Sequence, residues 1–188
     1  MDRHFFWASA NESGMEHLHF HDTESGYLAD AFLLRLLNGH PLRLHYRLVC
    51  DKDWRTREVF VQLLSRPDQE IALQADGKGN WSSQHQPFES LNGCLDIDIS
   101  ATPFTNTLPI RRLNLPPGGS AMIDVAYVAI PDLQVKKVSQ RYACREKNAN
   151  GSIYEYRGLS TGFEAELTMD QDGFVINYPA VFTRVTTP

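Results

Sequence analysis

The chain has 188 residues, of which 42% are hydrophobic and 22% are charged, and its mean hydropathy is -0.36. This composition is typical of a soluble globular protein and shows no break between two parts, so it predicts one domain over residues 1–188. A formal net charge of -5 and a pI near 5.8 argue against nucleic-acid binding, which needs a basic surface.

Sequence patterns that would place the chain in or beyond a membrane are missing. Residues 1–7 lack the basic start, apolar run and cleavage site of a secretion signal. The apolar stretches are shorter than the roughly 20 residues that cross a bilayer, and the cysteines Cys50, Cys94 and Cys144 are too widely spaced for a disulfide or metal framework. We therefore expect a cytoplasmic protein that does not span a membrane and keeps its thiols free.

The first clear strand pattern is at residues 16–21. Glu16 shares one strand face with apolar side chains, whereas His17, His19 and His21 share the opposite face. A carboxylate on an apolar face needs polar partners or a wet cavity, so Glu16 is either a pocket residue or part of a core salt bridge. Histidines two residues apart on one strand are too dispersed to bind one zinc ion without help, which favours a solvated outer face.

Alternation of apolar and polar residues predicts further strands that are separated by turns. They occupy residues 42–50, 59–63, 71–75, 122–130, 163–169 and 174–178. The segment 122–130 is apolar on both faces, so we expect a central strand that is covered on both sides. Arg55 follows a turn at residues 51–53, where its side chain can pair with carboxylates or point to water.

The richest polar stretch is residues 92–107, a predicted strand that leads into a helix. Asp96, Asp98 and Ser100 share one strand face, with roughly 6–7 Å between successive positions, so both carboxylates can contact one ligand. Hydroxyl and amide side chains follow directly, at Ser100, Thr102, Thr105, Asn106 and Thr107. The cluster is therefore either a polar binding site or an ordinary solvated strand face.

One short helix is predicted after Pro103. A residue among 105–107 can cap it, Pro109 fits its first turn, and residues 108–115 carry four apolar side chains. A short helix that is apolar on several sides is usually buried, and the Pro-Pro-Gly-Gly stretch at 116–119 ends it. The predicted fold class is therefore mainly β, a many-stranded, curved, antiparallel sheet like half of a barrel that wraps around a single short helix.

Three functions agree with these patterns. The first is non-enzymatic binding of a small molecule in a polar pocket, and the second is a carbohydrate-active hydrolase or isomerase whose paired carboxylates have the roughly 5–9.5 Å spacing of glycosidases. The third is a structural module in which the polar cluster ties the helix to the sheet. Carboxylates that are fully paired inside the protein favour the third function, and carboxylates that face an open cavity favour the other two.

Sequence signatures of catalysis are absent from the chain. It has no Gly-rich phosphate loop, no Gly-x-Ser-x-Gly elbow, no His-Glu-x-x-His motif and no Cys/His spacing for zinc. The sequence therefore predicts no catalytic residue, no metal and no cofactor, and it favours a binding protein over an enzyme.

A longer pattern resembles a known family. Residues 93–112 read GCLDIDISATPFTNTLPIRR, which is similar to the hallmark of the bacterial putative glycolipid-binding family, formerly a domain of unknown function. Shorter likenesses occur at residues 14–17, 50–55, 162–165, 172–173 and 178–179. The resemblance therefore extends over nearly the whole chain.

The resemblance implies a many-stranded antiparallel sheet around one helix, a homodimer, a remote likeness to bacterial lipoprotein-localisation factors, and an acidic pocket for glycolipids. By motif position, Asp96 and Asp98 are the candidates for this pocket, followed by Glu16, and the resemblance carries over no catalytic residue. Sugar hydroxyls would donate hydrogen bonds to the carboxylates, and Trp54 or Tyr156 would stack on the sugar ring. An acidic pocket of this kind favours neutral or cationic headgroups over phosphorylated ones.

The sequence thus predicts a glycolipid or carbohydrate-like small molecule as the partner. The expected ligand-binding residues are Asp96, Asp98, Glu16, Ser100, Thr102, Thr105, Asn106 and Arg55.

Overall fold

The computed structural model describes residues 2–185, which form fifteen β-strands and one short α-helix. The strands are β1 (Asp2–Ser9), β2 (Gly14–Asp22), β3 (Gly26–Leu37), β4 (His40–Asp51), β5 (Thr56–Leu63), β6 (Glu70–Ala75), β7 (Trp81–Ser83), β8 (Gln86–Pro87), β9 (Asp96–Ile99), β10 (Ser120–Ala129), β11 (Gln134–Asn148), β12 (Gly151–Gly158), β13 (Phe163–Met169), β14 (Val175–Tyr178) and β15 (Phe182–Arg184). Helix α1 covers Thr107–Leu113, and two 3-10 turns cover Glu89–Leu91 and Phe104–Asn106. The predicted mainly-β fold with one short helix is confirmed.

All described strands belong to one curved sheet that does not close into a barrel. Its order is β8-β7-β6-β5-β4-β3-β2-β1-β15-β14-β13-β12-β11-β10-β9. The first and last strands of the chain therefore lie side by side in the middle of the sheet, and the sequence neighbours β8 and β9 form its two edges.

Every neighbouring pair in this sheet is antiparallel except one. Strands β9 and β10 are parallel, with Asp98 opposite Tyr127, because the chain between them crosses over through α1 instead of turning back in a hairpin. The antiparallel prediction is thus confirmed for the sheet as a whole and wrong for this edge, which carries the polar stretch of the sequence.

Helix α1 lies inside the curve of the sheet, as predicted, and residues 101–110 are all buried. Asn106 stands at the N-cap position but makes no side-chain capping bond, so that prediction is wrong. Its backbone is already helical, with φ -65° and ψ -26°, because a 3-10 turn precedes it, whereas a capping residue has an extended backbone. The Asn106 amide instead donates to the Pro103 carbonyl at 3.2 Å.

Strand β10 differs from the expected central strand. Val125, Ala126 and Val128 are buried, but Met122 is 73% exposed. The reason is the register of the neighbouring edge strand, because β9 pairs only with residues 125–128 of β10 and leaves the first half of β10 without a neighbour on that side.

An aromatic cluster holds the helix against the first half of the sheet. Trp54 stacks on Tyr27 at a ring distance of 4.3 Å and on Phe20 at 5.8 Å, and the Arg111 guanidinium lies 4.9 Å from its ring centre. Trp54 is buried and therefore serves this cluster instead of offering a face to a ligand.

Two further expectations concern the cysteines and the membrane. All three cysteines are free and buried, as predicted. Within residues 2–185, no helix combines the length and the apolar character that crossing a membrane requires.

Candidate functional site

The side chain of Asp98 is the centre of the candidate site. It projects from β9 and is half-buried. The Thr105 hydroxyl donates to its Oδ1 at 3.0 Å, and the Gln140 amide donates to its Oδ2 at 2.6 Å. A carboxylate offers about four lone-pair positions, so each oxygen of Asp98 can accept a further hydrogen bond.

Asp98 borders a cavity of about 420 Å³, within the roughly 300–1,000 Å³ of small-molecule sites. Strands β9 to β15 contribute to its wall together with the segment that precedes α1. The polar part of the wall comprises Asp98, Ser100, Thr102, Asn106, Tyr127, Lys136, Ser139, Gln140, Ser160 and Thr161, and the apolar and aromatic part comprises Ile99, Val138, Tyr156, Phe163, Tyr178, Val181 and Phe182. A carboxylate, an amide and several hydroxyl groups thus face the same space as a set of aromatic rings.

The aromatic part of the wall is continuous. Tyr178 lies 6.3 Å from Tyr156, 6.1 Å from Phe163 and 6.5 Å from Phe182, as measured between ring centres. Phe163 is 44% exposed and therefore forms the outer part of this wall. Rings in this arrangement present both apolar faces and phenolic hydroxyls to a molecule in the cavity.

Burial changes the pKa values of the ionisable side chains that line the cavity. Burial raises the pKa of Asp98, and the hydrogen bonds from Gln140 and Thr105 lower it in part. Burial also raises the pKa of Tyr156, with a further contribution from the Asp98 carboxylate, and the pKa of Tyr178 is raised by burial and by its neighbours Tyr156 and Asp98. The tyrosines therefore remain neutral hydroxyl donors at neutral pH.

Asp96 occupies a different environment from Asp98, although the two share a strand face. Its side chain is 0% exposed. The Arg112 Nε donates to its Oδ1 at 3.0 Å and the Arg112 Nη2 donates to its Oδ2 at 2.6 Å, which is a two-pronged ion pair. Asp96 does not line the cavity. Because its carboxylate is fully paired inside the protein, its surroundings support a structural role.

Glu16 lies inside the protein, behind Thr102. It is 1% exposed, and its Oε1 accepts hydrogen bonds from the Tyr46 hydroxyl at 2.5 Å and the Thr102 hydroxyl at 2.7 Å. Its Oε2 is buried and has no partner among the described residues. Burial raises the pKa of Glu16 to about 7, against the lowering effect of these hydrogen bonds and of Arg35. Among residues 2–185, Glu16 thus has no salt-bridge partner, and it does not line the cavity, but it contacts Thr102, which does.

The other predicted site residues divide into three groups. Ser100, Thr102 and Asn106 line the cavity with Asp98, and Thr105 lies behind Asp98 and donates to it. Arg55 is on another part of the surface, where its Nη1 lies 3.9 Å from Asp53 Oδ2. The structure therefore brings together most of the residues from 98 to 106 and leaves Arg55 outside the site.

Sequence reasoning missed most of the opposite wall of the cavity. Gln140, Lys136 and Tyr127 come from β10 and β11, whose register against β9 cannot be read from local patterns. A signal was present for two other residues, because Phe163 and Tyr178 belong to the short segments at 162–165 and 178–179 that resemble the known family.

A larger cavity, of about 590 Å³, lies between the β3–β4 turn, the β5–β6 turn and the β10–β11 turn. Its wall contains Leu37, Leu42, Leu63 and Pro131 together with polar side chains such as Arg66 and Asp132. None of the predicted site residues contributes to it. We therefore place the candidate site at Asp98, where partly buried polar groups converge, instead of at the more voluminous cleft.

Comparisons with known proteins identify relatives of this chain. A family model described as "Putative glycolipid-binding" matches residues 4–184. A DUF1089 family protein from Pseudomonas aeruginosa, known from a crystal structure at 1.80 Å resolution, is 36% identical in sequence, with a TM-score of 0.80 and 92% of each chain covered. No curated protein matched the chain. Because the family model spans nearly all of the described fold, the chain belongs to the putative glycolipid-binding family.

Proposed function

We propose that this protein binds a glycolipid or a related amphiphile without chemically altering it, and that the sugar headgroup occupies the Asp98 cavity. The observation that carries this proposal is a half-buried carboxylate with free acceptor positions in a cavity whose opposite wall is aromatic. Family membership supports the same ligand class.

The wall of the cavity matches the two parts of an amphiphile. Sugar hydroxyls can donate to Asp98 and exchange hydrogen bonds with the amide and hydroxyl groups around it, while a ring of Tyr156 or Tyr178 packs on the apolar face of the sugar. The apolar side chains Val181, Phe182 and Phe163 would shelter the first part of an acyl chain. Asp98 and Lys136 both line the cavity and carry opposite charges, so an uncharged sugar headgroup suits it best.

Residues around the cavity would hold this arrangement in place. Thr105 and Gln140 orient the Asp98 carboxylate through their hydrogen bonds. The ion pair of Asp96 with Arg112 fixes α1 to the strand that carries Asp98, and Glu16 orients Thr102 from behind. In this proposal Asp96, Thr105 and Glu16 position the site, Asp98, Ser100, Thr102 and Asn106 contact the headgroup, and Arg55 has no contact with it.

The alternative of a carbohydrate-active hydrolase or isomerase receives less support from this geometry. That mechanism needs two carboxylates that both reach the substrate. Both oxygens of Asp96 are bound to Arg112, so only one member of the predicted pair faces the cavity.

Native mass spectrometry of the protein purified from its own host, followed by extraction and identification of bound lipid, tests the proposal directly. We expect a glycolipid in the native protein and a reduced amount of it in Asp98→Asn. The same spectra test the homodimer that the family resemblance implies. Recovery of protein without any amphiphile, in every preparation, would contradict the proposal.

A titration with defined amphiphiles distinguishes recognition of the sugar headgroup from nonspecific binding of the alkyl chain. Dodecyl β-maltoside below its micelle concentration is the probe, dodecanol is the same chain without a sugar, and calorimetry measures the affinity. We expect Asp98→Asn to weaken maltoside binding about 10-fold, since a hydrogen bond to a charged group contributes roughly 1.5–3 kcal/mol. Asp30→Asn is the matched control, because Asp30 carries the same charge on β3 but borders no part of the cavity. Equal affinities for the two probes would argue against a headgroup site.

A further inference from the structure

Four imidazole rings form a ladder on the face of β1 and β2 that points away from the core. His4 of β1 lies directly opposite His19 of β2, and their rings stack at 4.5 Å with an angle of 10° between them. His17 and His21 extend the ladder, at 5.1 Å from His4 and 4.9 Å from His19 respectively. The register of the two strands therefore adds His4 to the three histidines of β2.

A carboxylate lies at the same place. Asp2 Oδ1 is 2.7 Å from His19 Nε2, and one ligand atom each from Asp2, His4 and His19 lie within 4.8 Å of one another. Two imidazole nitrogens and a carboxylate oxygen form a ligand set that zinc and similar transition metals prefer. Three protein ligands leave the fourth tetrahedral position to a water molecule, as in open zinc sites.

The small change of geometry that binding requires is available to these residues. Ligand atoms around a tetrahedral zinc ion lie about 3.3 Å apart, given metal–ligand distances near 2.0–2.1 Å. Asp2 and His4 are exposed and His19 is half-buried, so their side chains can rotate to close the remaining distance. The aspartate and the imidazole of His19 already share a proton at hydrogen-bond distance, and a metal ion would replace that proton.

His17 supplies an outer partner for this group. Its Nε2 lies 2.9 Å from His4 Nδ1, and a hydrogen bond to the ring nitrogen that does not bind the metal fixes the tautomer and the orientation of a ligating imidazole. His17 is therefore placed to accept the His4 N–H.

We propose that Asp2, His4 and His19 bind one divalent transition-metal ion of the zinc class on the outer face of the sheet. This site is independent of the Asp98 cavity, because no residue of the ladder lines that cavity. Separate histidines of β2 are too dispersed for one metal, so the site depends on β1 to supply Asp2 and His4 across the strand pair.

Calorimetric titration with Zn²⁺ at pH 7.5, on full-length protein that carries no added histidine tag, tests the proposal. We expect one ion per chain and at least a 10-fold loss of affinity in each of His4→Gln, His19→Gln and Asp2→Asn. Lowering the pH to 5.5 should also weaken binding, because protonated imidazoles cannot ligate a metal. Co²⁺ in place of Zn²⁺ reports the same ligands through its visible absorption, and thermal unfolding shows that each variant remains folded.

His45→Gln is the matched control. His45 also faces an aspartate, with its Nε2 3.2 Å from Asp30 Oδ1, but within residues 2–185 no third metal-ligating group completes that pair. Loss of Zn²⁺ binding in the three site variants and retention in His45→Gln supports the site. Absence of stoichiometric binding, or equal affinity in all four variants, or loss in His45→Gln alone, overturns it.

Discussion

Asp96 and Asp98 are two residues apart on one strand face, yet their surroundings differ sharply. At the Asp96 end of β9 the helix supplies Arg112, which satisfies both carboxylate oxygens inside the protein. At the Asp98 end the partners are one hydroxyl and one amide, and the remaining space is a cavity. Two aspartates on one strand thus have different roles. Asp96 is fully paired inside the protein, whereas Asp98 keeps acceptor positions that face the cavity.

The difference shows what decides between a structural carboxylate and a binding carboxylate. A fully buried charge needs a charged partner because desolvation is costly, and α1 provides one only at its last turn, where Arg112 reaches Asp96. Beside Asp98 the chain presents uncharged donors instead. We expect substitutions at the first position to change mainly stability and substitutions at the second to change mainly ligand binding.

The largest predicted loss of stability follows removal of Arg112, the cation that pairs with Asp96. Arg112→Met leaves the Asp96 carboxylate buried without a partner, so we expect a loss of about 3–5 kcal/mol in the free energy of unfolding, the usual cost of breaking a buried ion pair. Urea denaturation followed by circular dichroism measures it. Arg145→Met is the control, since the Arg145–Glu155 pair is exposed and such pairs contribute at most about 1 kcal/mol. Equal losses in the free energy of unfolding of Arg112→Met and Arg145→Met would show that the buried ion pair of Asp96 contributes no more than an exposed pair.

The next largest effect concerns Glu16, the buried carboxylate behind the cavity. Its pKa in the folded protein, about 7, is above its ordinary value of 4.5. Between these pH values the folded protein keeps a proton that the unfolded chain has lost, so the free energy of unfolding falls as the pH rises. A shift of this size corresponds to about 3 kcal/mol.

Glu16→Gln removes this titration and is the variant that tests it. We expect the wild-type protein to lose about 3 kcal/mol more stability than Glu16→Gln between pH 4.5 and pH 8, as measured by urea denaturation across this range. Other titrating groups affect both proteins alike and cancel in the difference. Parallel pH profiles for the two proteins would show that Glu16 titrates normally.

The smallest loss of stability is predicted for substitution of Asp98, the carboxylate beside the cavity. Asp98→Asn keeps an oxygen that can accept from Thr105, and the cavity admits solvent to the rest of the side chain, so we expect a loss of only about 1 kcal/mol. Urea denaturation beside Arg112→Met gives the comparison on one scale. A loss as large as that of Arg112→Met would mean that Asp98 also acts as a structural carboxylate.

Much of the fold could be predicted from local patterns. Alternation of apolar and polar residues identified the long strands, and the apolar residues after Pro103 identified the buried helix, because both signals depend on neighbours in sequence. The parallel pairing of β9 and the partial cover of β10 could not be predicted, since they depend on how the chain between them crosses the sheet.

The site was predictable on one side only. The stretch from Asp98 to Asn106 carried its polar residues in sequence, but Gln140 lies 42 positions from Asp98 and reaches it through the sheet. The partner of Asp96 was also beyond local reasoning. Arg55 was predicted either to pair with the carboxylates or to point to water. The structure instead pairs Asp96 with Arg112, because α1 returns its last turn to the start of β9.

The strand order has a consequence for how the chain can be cut and rejoined. Within residues 2–185, three residue pairs connect β1 to β15, namely Trp7 with Arg184, Ala8 with Thr183 and Ser9 with Phe182. This seam joins two meanders that are each built from neighbouring strands. The two edge strands of the sheet, β8 and β9, are consecutive along the chain and are joined by residues 88–95. Residue 185 lies opposite Phe6, four residues or about 13 Å from Asp2. A circular permutant that bridges this gap with a short flexible linker and opens the chain at residues 88–95 would therefore leave every described strand pair of the sheet in place.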